Sequence, residues 1–448
     1  MSLQFGTDGV RGIANSELTP EFVTALARAA ARVLGGTSVL IGRDTRRSGS
    51  LMLAALTAGF CAEGVDVVDL GVLPTPAVAH ASVTRNAVAA MISASHNPFF
   101  DNGIKFFLAG GRKLDDALEE RIEAQLHEVL RAERNVADGS PIGALVGESS
   151  ADSSVLDEYV ASLTTVLEGR RLNGLSVVLD CANGATSVSA PEVFRRLGAS
   201  VTVIHATPNG ININDHCGST HPESLQEAVR ASKADIGFAF DGDADRMLAV
   251  DSNGELVDGD QLMAMMALDM RSRHRLAGDT VVVTVMTNLG FKLAMRDAGV
   301  NVVETKVGDR YVLESIEENG YSLGGEQSGH LILREYATTG DGTLAAVVIA
   351  DLIARTAKPL ADHAKVMTRL PQVLKNVKGV DRSRLDSASE LWDHVRAIEE
   401  SFGGSGRVLI RPSGTEALIR VMVEAASPEL AASACDRLCD TVSRTLAV

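Results

Sequence analysis

Basic residues are in deficit. The chain has 42 Lys and Arg against 58 Asp and Glu, a net charge of −16. A nucleic-acid surface needs a basic field, so that class of partner is not expected. An anionic ligand would have to be drawn in by local cations against the global field. Cysteine is scarce as well. The five, Cys61, Cys181, Cys217, Cys435 and Cys439, are odd in number and scattered, which is no disulfide framework and suits a reducing compartment. Cys435 and Cys439 stand four apart in a helical pattern and read as core packing. No apolar run approaches the roughly 18 residues of a membrane span. The opening MSLQFGTDGVRG has no apolar stretch to serve as a signal peptide, so the expected location is the cytoplasm. Neither GxxxxGKS nor GxxxxGKT occurs, which excludes a P-loop NTPase. GxSxG and HExxH are missing too, and with them the lipase-type and zinc-protease readings.

What is present is a thrice-used plan. Segments 39–71, 177–204 and 281–305 each run as apolar strand, polar loop, amphipathic helix, glycine turn (Gly64, Gly198, Gly299) and second apolar strand. Strands apolar on both faces suit a mainly parallel sheet between helices. The last region differs: VLKNVKGV, SELWDHVRAIEES, RVLIRP and ALIRVMVEA read as strand, helix, strand, strand. In ALIRVMVEA, Ile419, Val421 and Val423 alternate onto one face and Arg420 onto the other. A closing helix starts with Ser427 as N-cap and Pro428 at its first position. The expected fold is α/β: three tandem similar α/β domains with mixed sheets plus a smaller C-terminal α+β domain, around a central cleft. The expected boundaries are 1–149, 150–250, 251–364 and 365–448, with linkers at 138–154, at 251–254 and near 358–366.

Four loops carry candidate chemistry. SASHNP, residues 93–98, follows an apolar run and displays Ser95 beside His96 as a nucleophile with no hydrolase machinery around it. DGDADR, residues 241–246, follows the strand IGFAF and puts carboxylates at alternate positions. One such Asp is common in an acidic turn, but three behind a buried strand make a hard-oxygen cage. An EF-hand is excluded, because its sixth and twelfth positions would be Arg246 and Ser252. Magnesium fits better, since it takes few protein carboxylates and completes its shell with water and phosphate. GGEQSGH, residues 324–330, offers Glu326 and Ser328 between glycines, suited to vicinal sugar hydroxyls or an amine, although a plain glycine turn would look similar. RPSGTE, residues 411–416, combines Ser413, Gly414 and Thr415 with Arg411 and, beyond them, Arg420. That is an anion nest with bidentate cations, suited to phosphate, where an ordinary hairpin would not need two arginines. HCGSTH (His216, Cys217, His221) matches no common zinc spacing and is read as structural. A serine without a base makes sense if its resting form is a phosphate ester, with a metal at DGDADR to polarise the phosphoryl group.

Together and in order, these loops resemble the α-D-phosphohexomutase superfamily over nearly the whole chain. FGTDGVRG (5–12), ISASHNPFFDNGIKFF, VGDRYV (307–312) and Gln327 point to the branch acting on glucosamine phosphates. The resemblance implies interconversion of glucosamine 6-phosphate and glucosamine 1-phosphate, with glucosamine 1,6-bisphosphate as intermediate or activator, in the supply of cell-wall precursors. It implies Ser95 as phosphoserine, joining Asp241, Asp243 and Asp245 on one Mg²⁺ per chain. It implies Glu326 and Ser328 as sugar binders. Arg411, Ser413, Gly414, Thr415 and Arg420 would hold the non-transferring phosphate. Arg11, His96, Lys105 and Arg246 would surround the transferring phosphoryl. For the general base, Lys105 is the first candidate, with His96 and His330 as rivals. Sugar phosphate is the implied partner, with room for a homodimer and for a kinase acting on Ser95. Ala244 stands where a glycine is frequent in the metal loop, and Ala417 where proline often follows SGTE. Rival readings are a phosphomannomutase/phosphoglucomutase on neutral hexose phosphates, a haloacid-dehalogenase-type phosphatase and a non-catalytic sugar-phosphate sensor.

Overall fold

A computed structural model describes residues 9–131, 140–413 and 418–447 of the chain. Each repeated segment forms the strand–helix–strand unit its pattern predicts. The first is Ser38–Arg43, Gly49–Ala62 and Asp66–Val72. The second is Ser176–Asp180, Ser189–Leu197 and Ser200–Ile204. The third is Thr280–Thr284, Leu289–Asp297 and Asn301–Thr305. In every unit the two strands pair in parallel. The turn glycines Gly64, Gly198 and Gly299 all take positive φ, at 78°, 93° and 69°, the left-handed conformation that lets the chain reverse after a helix.

Each unit is extended into its own mixed sheet. The first runs Val10–Ile13, Asp101–Leu108, Val88–Ile92, Ser38–Arg43, Asp66–Val72, Ser149–Ala151, with the short Arg112–Lys113 off its path. Its last strand straddles the boundary expected at 149/150. The second runs Leu256–Val257, Met247–Asp251, Ile236–Phe240, Ser176–Asp180, Ser200–Ile204. The third runs Asn301–Thr305, Thr280–Thr284, Leu323–Gly325, Leu331–Leu333. The central strands are buried along their whole length, as Val88–Ile92 and Ile236–Phe240 show, because helices cover both faces.

The described chain divides into two compact bodies. Of the described residues, those up to 286 and from 300 to 365 form one, and those from 287 to 299 and beyond 365 the other. The second holds a three-stranded antiparallel sheet in the order Gln372–Lys378, Leu418–Glu424, Arg407–Pro412. Its core sets Ile419, Val421 and Val423 against Leu391, Val395, Leu438 and Val442 of helices Ser389–Ser401 and Pro428–Thr445. Ser427 caps the closing helix, its hydroxyl accepting the Leu430 N–H at 3.3 Å. Cys435 is buried in this core and Cys439 packs at its edge. The helix Leu289–Asp297 belongs to this body although its flanking strands do not. Its N-terminus is held by Asn288 and Glu424, with the Leu289 N–H donated to Glu424 at 2.8 Å and Asn288 bonded to Leu370 in both directions at 3.0 Å. Arg407 pairs with the fully buried Glu424 at 2.7 Å. A Cβ on Gly290 would run into the Thr368 carbonyl, so only glycine fits there. Among the described residues no helix is long and apolar enough to cross a membrane.

Candidate active site

Ser95 lies just past the buried strand Val88–Ile92, and DGDADR just past the buried strand Ile236–Phe240. Loops at the carboxyl ends of sheet strands are where α/β folds place reacting groups. Ser95 is fully buried, with a left-handed φ of 51°. Its Oγ donates to Asp241 Oδ2 at 2.5 Å. That conformation costs a non-glycine residue about 1 kcal/mol or more, so the loop must be held from outside. Ser93 of the same motif and three residues outside the motifs hold it. Ser93 Oγ accepts the Ser95 N–H at 2.9 Å and donates to Asp44 at 2.7 Å. The Ser95 carbonyl accepts from Arg46 at 3.2 Å and from Asn214 at 2.9 Å. Asp44 and Arg46 form a buried ion pair with each other.

The three aspartates converge. One carboxylate oxygen from each of Asp241, Asp243 and Asp245 lies within 4.8 Å of the others, and all three residues are buried. Asp243 Oδ2 accepts Thr75 Oγ1 at 2.6 Å and Lys105 Nζ at 3.0 Å. Lys105 also reaches Asp245 at 3.5 Å. Among the described residues Asp243 Oδ1 and Asp245 Oδ1 are buried without an aligned hydrogen-bond partner, although Asp245 Oδ1 lies 3.7 Å from His330 Nδ1 and 3.9 Å from Arg246 Nε. Orphaned carboxylate oxygens in a dry pocket lose their hydration with nothing in return, unless a cation takes their place. Burial, Asp245 and Asp243 push the Asp241 carboxyl far above its ordinary range. Asp245, though equally buried, is held well below that range by Lys105, His330 and Arg246. The group thus retains a proton at neutral pH that a divalent ion would displace, and its hard oxygens can hold such an ion. Ala244, the departure from glycine in this loop, sits at φ 55°, the left-handed region glycine favours.

The remaining expected residues divide. His96 accepts an Arg246 N–H at 2.8 Å, and its Nδ1 is 3.5 Å from Ser95 Oγ. Burial, Arg246 and Arg11 lower its pKa to about 4, so it is a neutral imidazole at pH 7. Arg11, on the edge strand Val10–Ile13, thus faces the same site as Ser95. His330 is buried, with Nδ1 3.7 Å from Asp245 and Nε2 3.3 Å from Asp309. Its ring packs against Gly340, whose N–H it accepts at 3.2 Å. Glu326 is half-buried and accepts the Gly308 N–H at 3.2 Å, so VGDRYV positions the GGEQSGH loop. Ser328 is exposed.

In the second body Arg411 and Arg420 stand directly opposite on paired strands. Burial and Arg420 lower the Arg411 pKa. Like charges so placed repel unless an anion lies against them. Arg382, which the motifs do not include, donates to the Ser413 carbonyl at 2.7 Å. Gly414, Thr415 and Ala417 fall outside the described residues.

Four domain descriptions of one family match the chain in order. They are phosphoglucomutase/phosphomannomutase alpha/beta/alpha domain I at residues 2–133, domain II at 157–254, domain III at 258–370 and the C-terminal domain at 358–441. The chain belongs to the α-D-phosphohexomutases. Among members of this family, the phosphoglucosamine mutase of Streptomyces coelicolor is 53% identical over 456 residues, covering 100% of both chains. That of Rhodococcus opacus is 51% identical over 99% of this chain and 100% of its own. Solved α-D-phosphohexomutase folds superpose closely. A phosphoglucomutase/phosphomannomutase family protein from Burkholderia thailandensis gives a TM-score of 0.81 at 25% identity, over 99% of this chain and 98% of its own. An N-acetylphosphoglucosamine mutase from Aspergillus fumigatus, solved with GlcNAc-6P and magnesium, gives 0.71 at 19%, over 99% and 96%.

Proposed function

We propose that this chain is a magnesium-dependent sugar-phosphate mutase that interconverts glucosamine 6-phosphate and glucosamine 1-phosphate. The activity is the one named for its relatives at 53% and 51% identity over the full chain. The observation that carries the mechanism is the 2.5 Å bond from buried Ser95 Oγ to Asp241, beside two orphaned carboxylate oxygens. The serine hydroxyl is bonded to a carboxylate of a convergent three-aspartate cluster rather than to an imidazole backed by a carboxylate, an arrangement that favours a metal-assisted phosphate ester over a hydrolytic nucleophile.

In this reading phospho-Ser95 is the donor. A sugar hydroxyl attacks phosphorus, the P–Oγ bond breaks with its electrons left on Oγ, and the hydroxyl proton passes to a base. The product, glucosamine 1,6-bisphosphate, turns end for end and returns its other phosphoryl to Ser95. Mg²⁺ on Asp241, Asp243 and Asp245 would supply charge neutralisation at the phosphoryl group. Arg11, Arg246 and the neutral His96 orient the phosphoryl oxygens. Lys105, which donates to Asp243 and Asp245, is assigned as the proton acceptor; a divalent ion on those carboxylates would release it from them, and it would have to give up a proton to solvent before taking that of the sugar hydroxyl. His96 is too weak a base with a pKa near 4, and both nitrogens of His330 are occupied by neighbours. Glu326 accepts from the amino or hydroxyl groups of the sugar, with Ser328 beside it. Arg411, Ser413, Gly414, Thr415 and Arg420 take the phosphate that does not transfer. The first phosphoryl on Ser95 comes from bisphosphate or from a kinase, and a homodimer is compatible with the same chemistry.

Intact mass of the purified protein should show a fraction heavier by one phosphoryl group, absent from Ser95→Ala. That variant should lose interconversion by at least about a thousandfold. Near wild-type turnover by Ser95→Ala would remove the phosphoserine mechanism. Comparing kcat/KM for glucosamine and glucose phosphates separates the amino-sugar reading from a mutase of neutral hexose phosphates.

A further inference from the structure

A second potential ligand cluster lies outside the reacting loops. Asp180, His205 and Cys217 each bring one donor atom to a common point, with all three atoms within 4.8 Å of one another. Asp180 ends the buried strand Ser176–Asp180 and is fully buried. His205 follows the neighbouring strand Ser200–Ile204 at a left-handed φ of 47°. Cys217 is fully buried and belongs to the HCGSTH stretch, whose two histidines take no part. Three separate loops therefore converge with a carboxylate, an imidazole and a thiol.

Asp180 and His205 interact with each other across this cluster, and their spacing is also one that two ligands of a single ion would take. His205 Nδ1 lies 3.1 Å from Asp180 Oδ1. It is nonetheless buried without an aligned hydrogen bond. Two ligands on one tetrahedral ion, each about 2.0–2.1 Å from it, stand about 3.3 Å apart. Asp180 is pre-set by two backbone donors, Ala182 N–H to Oδ1 and Gly218 N–H to Oδ2, each at 2.9 Å. Such outer bonds are what orient a ligating carboxylate. No arginine or lysine pairs with Asp180 among the described contacts, so the neighbouring imidazole is the only side chain offset to its charge.

We infer that Asp180, His205 and Cys217 form a second metal site, selective for a thiophilic divalent ion of the zinc class. The donor set is too soft for magnesium, which the three aspartates of the reacting loop suit. On binding, the Cys217 thiol gives its proton to solvent and its sulfur lone pair to the ion. His205 binds through Nδ1 with its proton on Nε2. His205 is partly exposed, which leaves a side from which the ion enters and water completes the shell.

The consequence is mechanical. The segment from His205 to Cys217 carries Asn214, whose side chain donates to the Ser95 carbonyl at 2.9 Å and to the Asn97 carbonyl at 3.1 Å. An ion at Cys217 and His205 fastens both ends of that segment, and with it a support of the serine loop.

The test uses the full-length protein, stripped with chelator and held in excess Mg²⁺, titrated with Co²⁺ and then Zn²⁺. Co²⁺ should develop a thiolate charge-transfer band at one equivalent, and Zn²⁺ should displace it and raise Tm. Cys217→Ser should abolish the band. His205→Ala should weaken binding by about 10- to 100-fold. Cys181→Ser, altering the adjacent buried thiol, should leave the band in place. His205 is a surface-side residue, so its variant reads the site even if Cys217→Ser fails to fold. No band in the wild type, a band that survives Cys217→Ser, or unchanged affinity in His205→Ala would each overturn the inference.

Discussion

Ser95 is held in an unfavourable backbone conformation at full burial, and its neighbours bear that strain. The relay from Asp44 through Ser93 to the Ser95 N–H is short, at 2.7 and 2.9 Å, and wholly buried. Removing the Ser93 hydroxyl leaves both an amide and a carboxylate short of a partner, a loss of about 1–3 kcal/mol. Ser93→Ala should therefore lower kcat by roughly tenfold or more with KM little changed, because the serine loop is displaced while the sugar contacts remain. A rise in KM alone would show that the relay does not position the serine. These supports could not be read from the sequence. Thr75 opens a helix, and Asp44 and Arg46 lie in a loop, all distant in sequence from DGDADR and SASHNP, and nothing local marks them. Ser95 and the aspartates were legible because each cluster is written in consecutive residues behind an apolar strand. Asp180, His205 and Cys217 were not, since their meeting depends on the order of strands in the sheet.

Helix and strand termini carry two further predictions. The helix Gly342–Thr356 is capped by Asp341, which accepts the Leu344 N–H and the Tyr159 hydroxyl, each at 2.9 Å. Burial raises its pKa from 3.8 to about 6. The folded state then binds this proton more tightly than the unfolded chain, so the contribution to stability is full below about pH 4 and is lost as pH rises through 6. A shift of this size corresponds to roughly 3 kcal/mol. Asp341→Asn keeps a good N-cap and removes the titration. Its stability relative to wild type should rise between pH 4 and 7 in chemical denaturation, and a pH-independent difference would refute the assignment. On the paired strands Arg407–Pro412 and Leu418–Glu424, Arg420 opposes Arg411. Arg420→Ala should raise KM by about 10- to 100-fold, the worth of a charged hydrogen bond to phosphate, with a smaller change in kcat. A loss confined to kcat would contradict a phosphate-binding role. The strand–helix–strand units themselves were legible because strands buried on both faces read as unbroken apolar runs. The grouping of helix Leu289–Asp297 with the C-terminal body was not, because its pattern fits its own unit equally well.

For the whole molecule, that helix changes what counts as a part. Sequence alone suggests that the C-terminal domain hangs on one linker near 358–366. The chain instead passes between the two bodies at 286/287, 299/300 and 365/366. A chain shortened to end at residue 365 would keep Leu289–Asp297 but lose Glu424, Leu370 and Thr368, to which the start of that helix is fitted. The buried carboxylate of Glu424, which accepts the Leu289 N–H and pairs with Arg407, would be gone with its strand. Such a fragment should aggregate or bind a hydrophobic dye strongly. A soluble, cooperatively melting fragment would show that the helix is held by its own unit.

The final fifth of the polypeptide is therefore not a detachable cassette. Exchange between relatives at a single splice point near residue 365 would part helix and carboxylate that have to come from one parent. Viable chimeras should inherit residues 287–299 and 366–448 together.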